Sequence, residues 1–275
     1  MTTDIRIIFT DLDGTLLTSQ KNISPADNAC LQQLKERDII RVIATGRSLY
    51  SFKKVFDSTV PADYLIFSTG AGIIDLHDET LLYAANLEKQ DLQSIAAYLQ
   101  DHRVDFMVHD SVPHNHRFIY SGNRHSNSDF ERRIQLYSSH ATPYTSLDAL
   151  PSQGAQIIAI FHDNLQHFTQ VREGLDKYQV TRTTSPLDGK SIWMEIFPPH
   201  ISKGKSAAWL CDFLQIAPQA ALGIGNDYND VSLLEFSGQS YLVANAPTEL
   251  HGDYRVSPSN DHDGFSYAVR QVLDG

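Results

Sequence analysis

The sequence predicts an α/β fold: a parallel sheet covered by helices on both faces, with an α+β domain set into the middle of the chain. Three observations carry this. Short β-branched apolar runs alternate with helical patterns at both ends, the connections between them are short, and the pattern changes from about residue 80 to 190. Parallel strands need a crossover, and a helix packed on the sheet is the usual one.

The elements follow in order. "IRIIFT" (5–10) is short and β-branched, as a buried strand should be. Ser24-Pro25 reads as a cap followed by proline at the first helical position, and Ala26, Ala29, Cys30, Leu31 and Leu34 then share one helical face up to Arg37. "IIRVIAT" (39–45) and "YLIFST" (64–69) are the next strands, with a short helix over 48–57 between them. Towards the C-terminus come a helix over 203–215, the strand "ALGIGN" (221–226), a helix from about 229, the strand "YLVAN" (241–245) and a helix near 265–273. Between them lie strands such as "FMVHDS", "RFIYSG" and "QIIAIF", and helices near 88–101 and 164–177. This middle part reads as a separate domain over 83–189, leaving 1–82 and 190–275 as the core; one continuous α/β domain of this length is also allowed.

Composition narrows the class. With 41% apolar and 20% charged residues the chain is globular and not disordered. Its 22 Lys and Arg against 33 Asp and Glu give a net charge of −11, which repels nucleic acid and anionic membrane, so neither is an expected partner. An anionic substrate would need a local cluster of positive charge. Cys30 and Cys211 lie in helical patterns and make no disulfide framework. The start "MTTDIRIIFTD" lacks a basic, long-apolar leader, and no run approaches 18 apolar residues, so a cytoplasmic protein is expected.

Four segments hold groups with chemistry. In "FTDLDGTLLTS" (9–19), Asp11 and Asp13 stand at the end of a strand, before a glycine that lets the backbone approach a ligand. An acidic pair is ordinarily a solvated turn. In an open parallel sheet, however, ligands bind outside the carboxyl ends of the strands. Like charges this close are costly without a cation, and Mg²⁺ suits oxygen ligands together with a phosphate. "IATGR" (43–47) ends the next strand with the Thr45 hydroxyl and the backbone amides at Gly46; alone it is a strand-to-helix turn. In "HISKGKSAAWL" (200–210), Lys203 opens a helix, where the helix dipole disfavours a cation, so an anion is to be met there. Its "GKS" is no P-loop, because the residue five before Gly204 is Pro199. "GIGNDYND" (223–230) offers Asn226, Asp227, Asn229 and Asp230 at another strand end; an Asn/Asp-rich turn is the plain reading of any one of them.

Together the four segments resemble the motifs of the haloacid dehalogenase (HAD) superfamily, in the same order, and most closely its Cof-like phosphatases of subclass IIB. "DLDGTLL", "ATGR", the Ser-Lys-Gly helix start, "EIFPPHISKG" (195–204) and "NDHDGF" (260–265) carry the resemblance. It implies a Rossmann-like parallel-sheet core, the HAD fold, with an inserted α+β cap domain. It also implies Asp11 as nucleophile and Asp13 as general acid/base. Thr45 and Lys203, with Gly14 and Gly46, would hold the phosphoryl group. Asp11, the carbonyl of Asp13 and Asn226 would hold Mg²⁺, with Asp230 in support. Two positions depart from the pattern. Asn226 stands where the family usually has Asp, which should weaken the metal or shift its load to Asp227 or Asp230. "STGAG" (68–72) has Thr69 where the subgroup usually has Asn, for a modest effect.

The expected reaction is Mg²⁺-dependent hydrolysis of a small phosphorylated metabolite, a sugar phosphate foremost, through an aspartyl phosphate, by a monomer or homodimer. It requires one carboxylate ionised and its neighbour protonated, so their environments must separate their pKa values. A phosphotransferase or mutase is the rival of the same chemistry; a non-catalytic metabolite-binding protein is the rival of another class. The cap would exclude water and choose the substrate. Within it, His102, His109, His114, His116, His125 and His140 are half of the 12 histidines. "HNH" (114–116) falls short of the three or four ligands of a transition-metal site, so solvated or substrate-facing histidines are expected. Arg117 and Arg124 are candidate contacts for the non-reacting end of the substrate.

Overall fold

A computed structural model describes residues 4–56, 61–122, 127–161, 164–185 and 187–274. In chain order the first part holds β1 (Ile7–Thr10), α1 (Pro25–Glu36), β2 (Ile40–Ala44), α2 (Leu49–Lys53), β3 (Tyr64–Phe67), β4 (Gly72–Asp75) and β5 (Leu81–Ala84). The middle holds β6 (Leu87–Glu88), α3 (Lys89–Asp101), β7 (Asp105–Asp110), β8 (Phe118–Ser121), α4 (Ser128–Leu136), β9 (Ala141–Pro143), β10 (Gln153–Ile160), α5 (Leu165–Glu173), β11 (Gln179–Thr184) and β12 (Ile192–Phe197). The last part holds α6 (Lys203–Phe213), β13 (Ala221–Gly225), α7 (Val231–Phe236), β14 (Gln239–Val243), β15 (Arg255–Ser257) and α8 (Gly264–Leu273).

The chain divides into two compact units. One comprises Met1–Arg47, Phe52–Tyr83 and Ser202–Gly275; the other comprises Ser48–Ser51 and Ala84–Ile201. The return point differs from the sequence-based division at residue 190. Strand β12 pairs antiparallel with β10 and β11, so "IWMEIF" belongs to the second unit and the chain returns after Ile201. Its partners decide this: β11, which precedes it in the chain, and the more distant β10.

The first unit is an eight-stranded sheet in the order β15-β14-β13-β1-β2-β3-β4-β5. The strands from β15 to β3 run parallel, and β4 returns antiparallel to β3. Strand β1 is the switch point: the chain adds β2 and β3 on one side of it, and β13 to β15 on the other. Thr10 lies opposite both Ile43 and Ile224, so residues 11–13, 45–47 and 226–230 all leave the same edge of the sheet. Ile7, Phe9, Val42, Ala44 and Ile66 pack on one face against Ala207, Leu210 and Cys211 of α6 and Leu233 of α7. Helix α1 packs against β2 and α8. Ser24 caps α1 by accepting from the Asp27 amide, with Pro25 at the first position, as the sequence indicates. Cys30 and Cys211 are free and buried.

The second unit is a seven-stranded sheet in the order β11-β12-β10-β7-β8-β9, with β6 also on β10. Leu92, Ile95 and Leu99 of α3, and Phe168 and Val171 of α5, close one face over Phe106, Val108, Ile157, Met194 and Ile196. The other face carries Met107, Ile158, Ile160 and Trp193 against Phe130 of α4. No helix among the described residues is long and apolar enough to cross a membrane.

Candidate active site

Asp11 and Asp13 leave β1 in different surroundings. Asp11 is 5% exposed. Its Oδ1 accepts from Lys203 Nζ at 2.6 Å. Asp13 is grasped by the Arg47 guanidinium, with Nε on Oδ2 at 2.5 Å and a second nitrogen on Oδ1 at 2.7 Å, and by Lys21 Nζ at 3.1 Å. Burial pushes the Asp11 carboxyl up to about 7, opposed by the Lys203 ammonium. Burial also acts to raise Asp13, but the hydrogen bonds and charge of Arg47, with Lys21, outweigh it and hold that carboxyl below the usual range. The two values are thus separated, as two roles require, but in the opposite sense to a nucleophilic Asp11 beside a protonated Asp13.

Lys203 is fully buried at the first turn of α6, where Ser202 caps the helix by accepting from the Lys205 amide. Two carboxylates share its ammonium, since Nζ also donates to Asp230 Oδ1 at 2.6 Å. Burial disfavours the ammonium, yet Asp11 and Asp230 hold it charged and above the ordinary lysine value. The placement of α6 is exacting. A Cβ at Gly204 would lie 2.0 Å from the Ser232 carbonyl oxygen, and one at Gly70 would lie 2.6 Å from that of Ser202. Only glycine permits both approaches.

Asp230 has no oxygen to spare. Its Oδ2 accepts from the backbone amides of Asn226 and Asp227, at 2.8 and 3.0 Å. With Lys203 on Oδ1, Asp230 shapes the turn and anchors the lysine rather than facing a metal directly. Thr45 is buried at the end of β2, where its Oγ1 accepts from the Arg47 amide at 3.1 Å and its carbonyl accepts from the Thr69 amide at 3.0 Å. A Cβ at Gly46 would lie 3.5 Å from Thr69 Oγ1 and 3.6 Å from Asn229 Nδ2, so the Gly46 turn borders both.

Asn226 completes the arrangement. The end of its amide that faces β1 lies 3.1 Å from Asp11 Oδ2, from the Asp13 carbonyl oxygen and from Thr15 Oγ1. With the amide oxygen turned in, three oxygens converge, one of them from a carboxylate. Adjacent ligand oxygens of an octahedral Mg²⁺ lie about 2.9 Å apart, close to these spacings. The buried carboxylates of Asp11 and Asp230 also exceed the single buried ammonium between them. Oxygen donors, spacing and charge all fit a divalent cation.

Arg47, Lys21 and Thr15 were given no role from the sequence. Arg47 and Thr15 lie within the quoted segments "IATGR" and "FTDLDGTLLTS", but only the folded chain shows which atoms they meet. In the second unit His116 stacks on Tyr50 at 4.3 Å, and His140 Nε2 lies 3.2 Å from the Tyr50 hydroxyl. His109 is buried, with Nδ1 donating to the Asn115 carbonyl, and His102 Nδ1 donates to that of Tyr98. Among the described residues no three His, Cys, Asp or Glu converge on a metal position. Arg117 is exposed; Arg124 and His125 lie outside the described residues.

A sequence profile of haloacid dehalogenase-like hydrolases matches residues 8–269, and the chain belongs to that family. Within it, the chain is an enzyme of the phosphatase type, in the Cof-like branch. A 5-amino-6-(5-phospho-D-ribitylamino)uracil phosphatase of Bacillus subtilis is 26% identical, covering 98% of this chain and 99% of its own. A HAD-superfamily phosphatase structure from Bacteroides thetaiotaomicron superposes with a TM-score of 0.79 at 18% identity, over 98% of this chain and 96% of its own. A HAD subclass IIB sugar phosphatase structure gives 0.76 at 17% identity, over 97% and 98%. The fold is theirs.

Proposed function

We propose that the chain is a Mg²⁺-dependent phosphomonoester hydrolase that acts on a small phosphorylated metabolite, foremost a sugar or polyol phosphate, through an aspartyl phosphate on Asp11. The observation that carries this is the buried Asp11–Lys203–Asp230 group at the switch point of the sheet, with the Asn226 amide turned towards both Asp11 and the Asp13 carbonyl. Two relatives bear on the substrate: one is named for a phosphate on a ribityl chain, the other as a sugar phosphatase. The buried free thiols fit a reducing compartment such as the cytoplasm.

Each residue has a task in this reading. Mg²⁺, held by Asp11, the Asp13 carbonyl and Asn226, would offset the charge of a phosphate dianion beside a carboxylate. Lys203 adds fixed positive charge and needs no reorganisation, because Asp230 already holds it. The Asp11 carboxylate bonds to phosphorus as the ester P–O bond breaks, and Asp13 gives its proton to the leaving oxygen. Asp13 then takes a proton from the water that attacks the aspartyl phosphate, releasing phosphate and restoring Asp11. Asp13 must therefore exchange its grip on Arg47 for a proton, and positive charge beside Asp11 lowers its pKa. Thr45 and the amides at Gly14 and Gly46 would meet the phosphoryl oxygens.

The test is phosphate release from a panel of sugar and polyol phosphates, with Mg²⁺ and with chelator. We expect activity that needs the metal and is lost in Asp11→Asn. Transfer of the phosphoryl group to a second sugar without phosphate release would instead mark a transferase.

A further inference from the structure

The divalent-cation part of the proposed function leaves open why Asn226 carries an amide rather than a carboxylate. The inward end of that amide meets the Asp13 carbonyl, which only accepts, Asp11 Oδ2, which only accepts while the carboxylate is ionised, and Thr15 Oγ1, which can donate or accept. With oxygen inward, Thr15 donates to it, but the other two oxygens repel it unless a cation lies among them. With nitrogen inward, the two N–H bonds of the NH₂ can serve Asp11 Oδ2 and the Asp13 carbonyl, and the conflict with those two oxygens disappears. Thr15 tolerates either state by rotating its hydroxyl. The outward end of the amide lies 2.7 Å from where a Cβ of Gly14 would be, so a side chain there would displace it. Gly14 has φ +80° and adopts this backbone freely.

We propose that Asn226 is a two-position plug: its NH₂ fills the cation seat in the metal-free protein, and the amide inverts to present its oxygen when the cation enters. A carboxylate at this position could do only the second. It would leave Asp11, the Asp13 carbonyl and the new charge facing one another whenever the metal was absent. The amide thus keeps the site ordered without metal, and it weakens metal binding both by bringing no charge and by the inversion.

The experiment compares the native protein with Asn226→Asp in chelator and in titrated MgCl₂. In chelator, the melting temperature of N226D falls by about 3 °C or more. In the calorimetric titration, N226D binds Mg²⁺ about tenfold more tightly, as ligand charge dictates. In the native protein, the Asn226 side-chain NH₂ resonances (assigned by their loss in Asn226→Ala) are protected from exchange in chelator; they shift and lose protection in saturating Mg²⁺. This last reading holds even if N226D folds poorly. Equal or greater stability of N226D in chelator, equal Mg²⁺ affinity, or native NH₂ signals unchanged by bound Mg²⁺ would each overturn the plug. Phosphate release is measured separately, so loss of the plug leaves the hydrolase reading standing.

Discussion

Asp11 and Asp13 are separated by one residue, yet the fold gives each a different cation. Asp11 shares the ammonium of Lys203 with Asp230, in full burial, whereas Asp13 lies partly open between Arg47 and Lys21. Removing the guanidinium leaves burial as the larger influence on Asp13, so its pKa should rise in Arg47→Ala. A carboxyl-carbon NMR titration of Asp13 in the metal-free protein should show a midpoint above that of the native chain; an unchanged or lower midpoint would mean that Lys21 alone sets it. The residue scale is where the sequence was most and least informative. Asp11, Asp13, Lys203 and Asn226 were legible because strand ends and a helix start place them. Arg47 was not, because its role depends on which carboxylate it reaches 34 positions away.

Element geometry explains another departure seen in the sequence. Ser68, Thr69 and Gly70, after β3, all have positive φ, and Gly70 abuts the start of α6. A β-branched residue is poorly suited to the left-handed region, which Asn tolerates better, and such a residue costs about 1–2 kcal/mol there. Thr69→Asn, nearly the same volume in a fully buried position, should therefore stabilise the fold by about 1 kcal/mol in urea unfolding. A loss of stability would show that the Thr69 side chain holds the turn. The strands and helices around the site could be read because their apolar runs are continuous. Short β4, β5 and β15 gave no such run, and α4, "SDFERRIQL", buries little beyond Phe130. Strand β12 was not read from the sequence, and its place in the second sheet comes from pairing with β11 and β10.

At the scale of the whole molecule, the two units should respond to acid differently. His109 is sealed in the second unit, and burial lowers it from 6.5 to about 3, with Arg133 acting the same way. The folded form therefore resists a proton that the unfolded form accepts below pH 6.5. Stability from this group is complete above that value and is lost as pH falls from 6.5 towards 3. At pH 5 the loss is about 2 kcal/mol. Urea unfolding of the full chain at pH 7 and pH 5 should show this decrement for the native protein and a smaller one for His109→Gln. Equal decrements would assign acid sensitivity elsewhere.

The central claim is that Asp11 itself becomes phosphorylated. Acid quench during turnover of a sugar phosphate with Mg²⁺, followed by borohydride reduction and peptide mapping, tests it most directly. The account predicts homoserine in place of Asp11, and slower phosphate release in Asp13→Asn, which loses the proton donor of the first step and the base of the second. Phosphate release with no modification at Asp11, or undiminished release by Asp11→Asn, would contradict it.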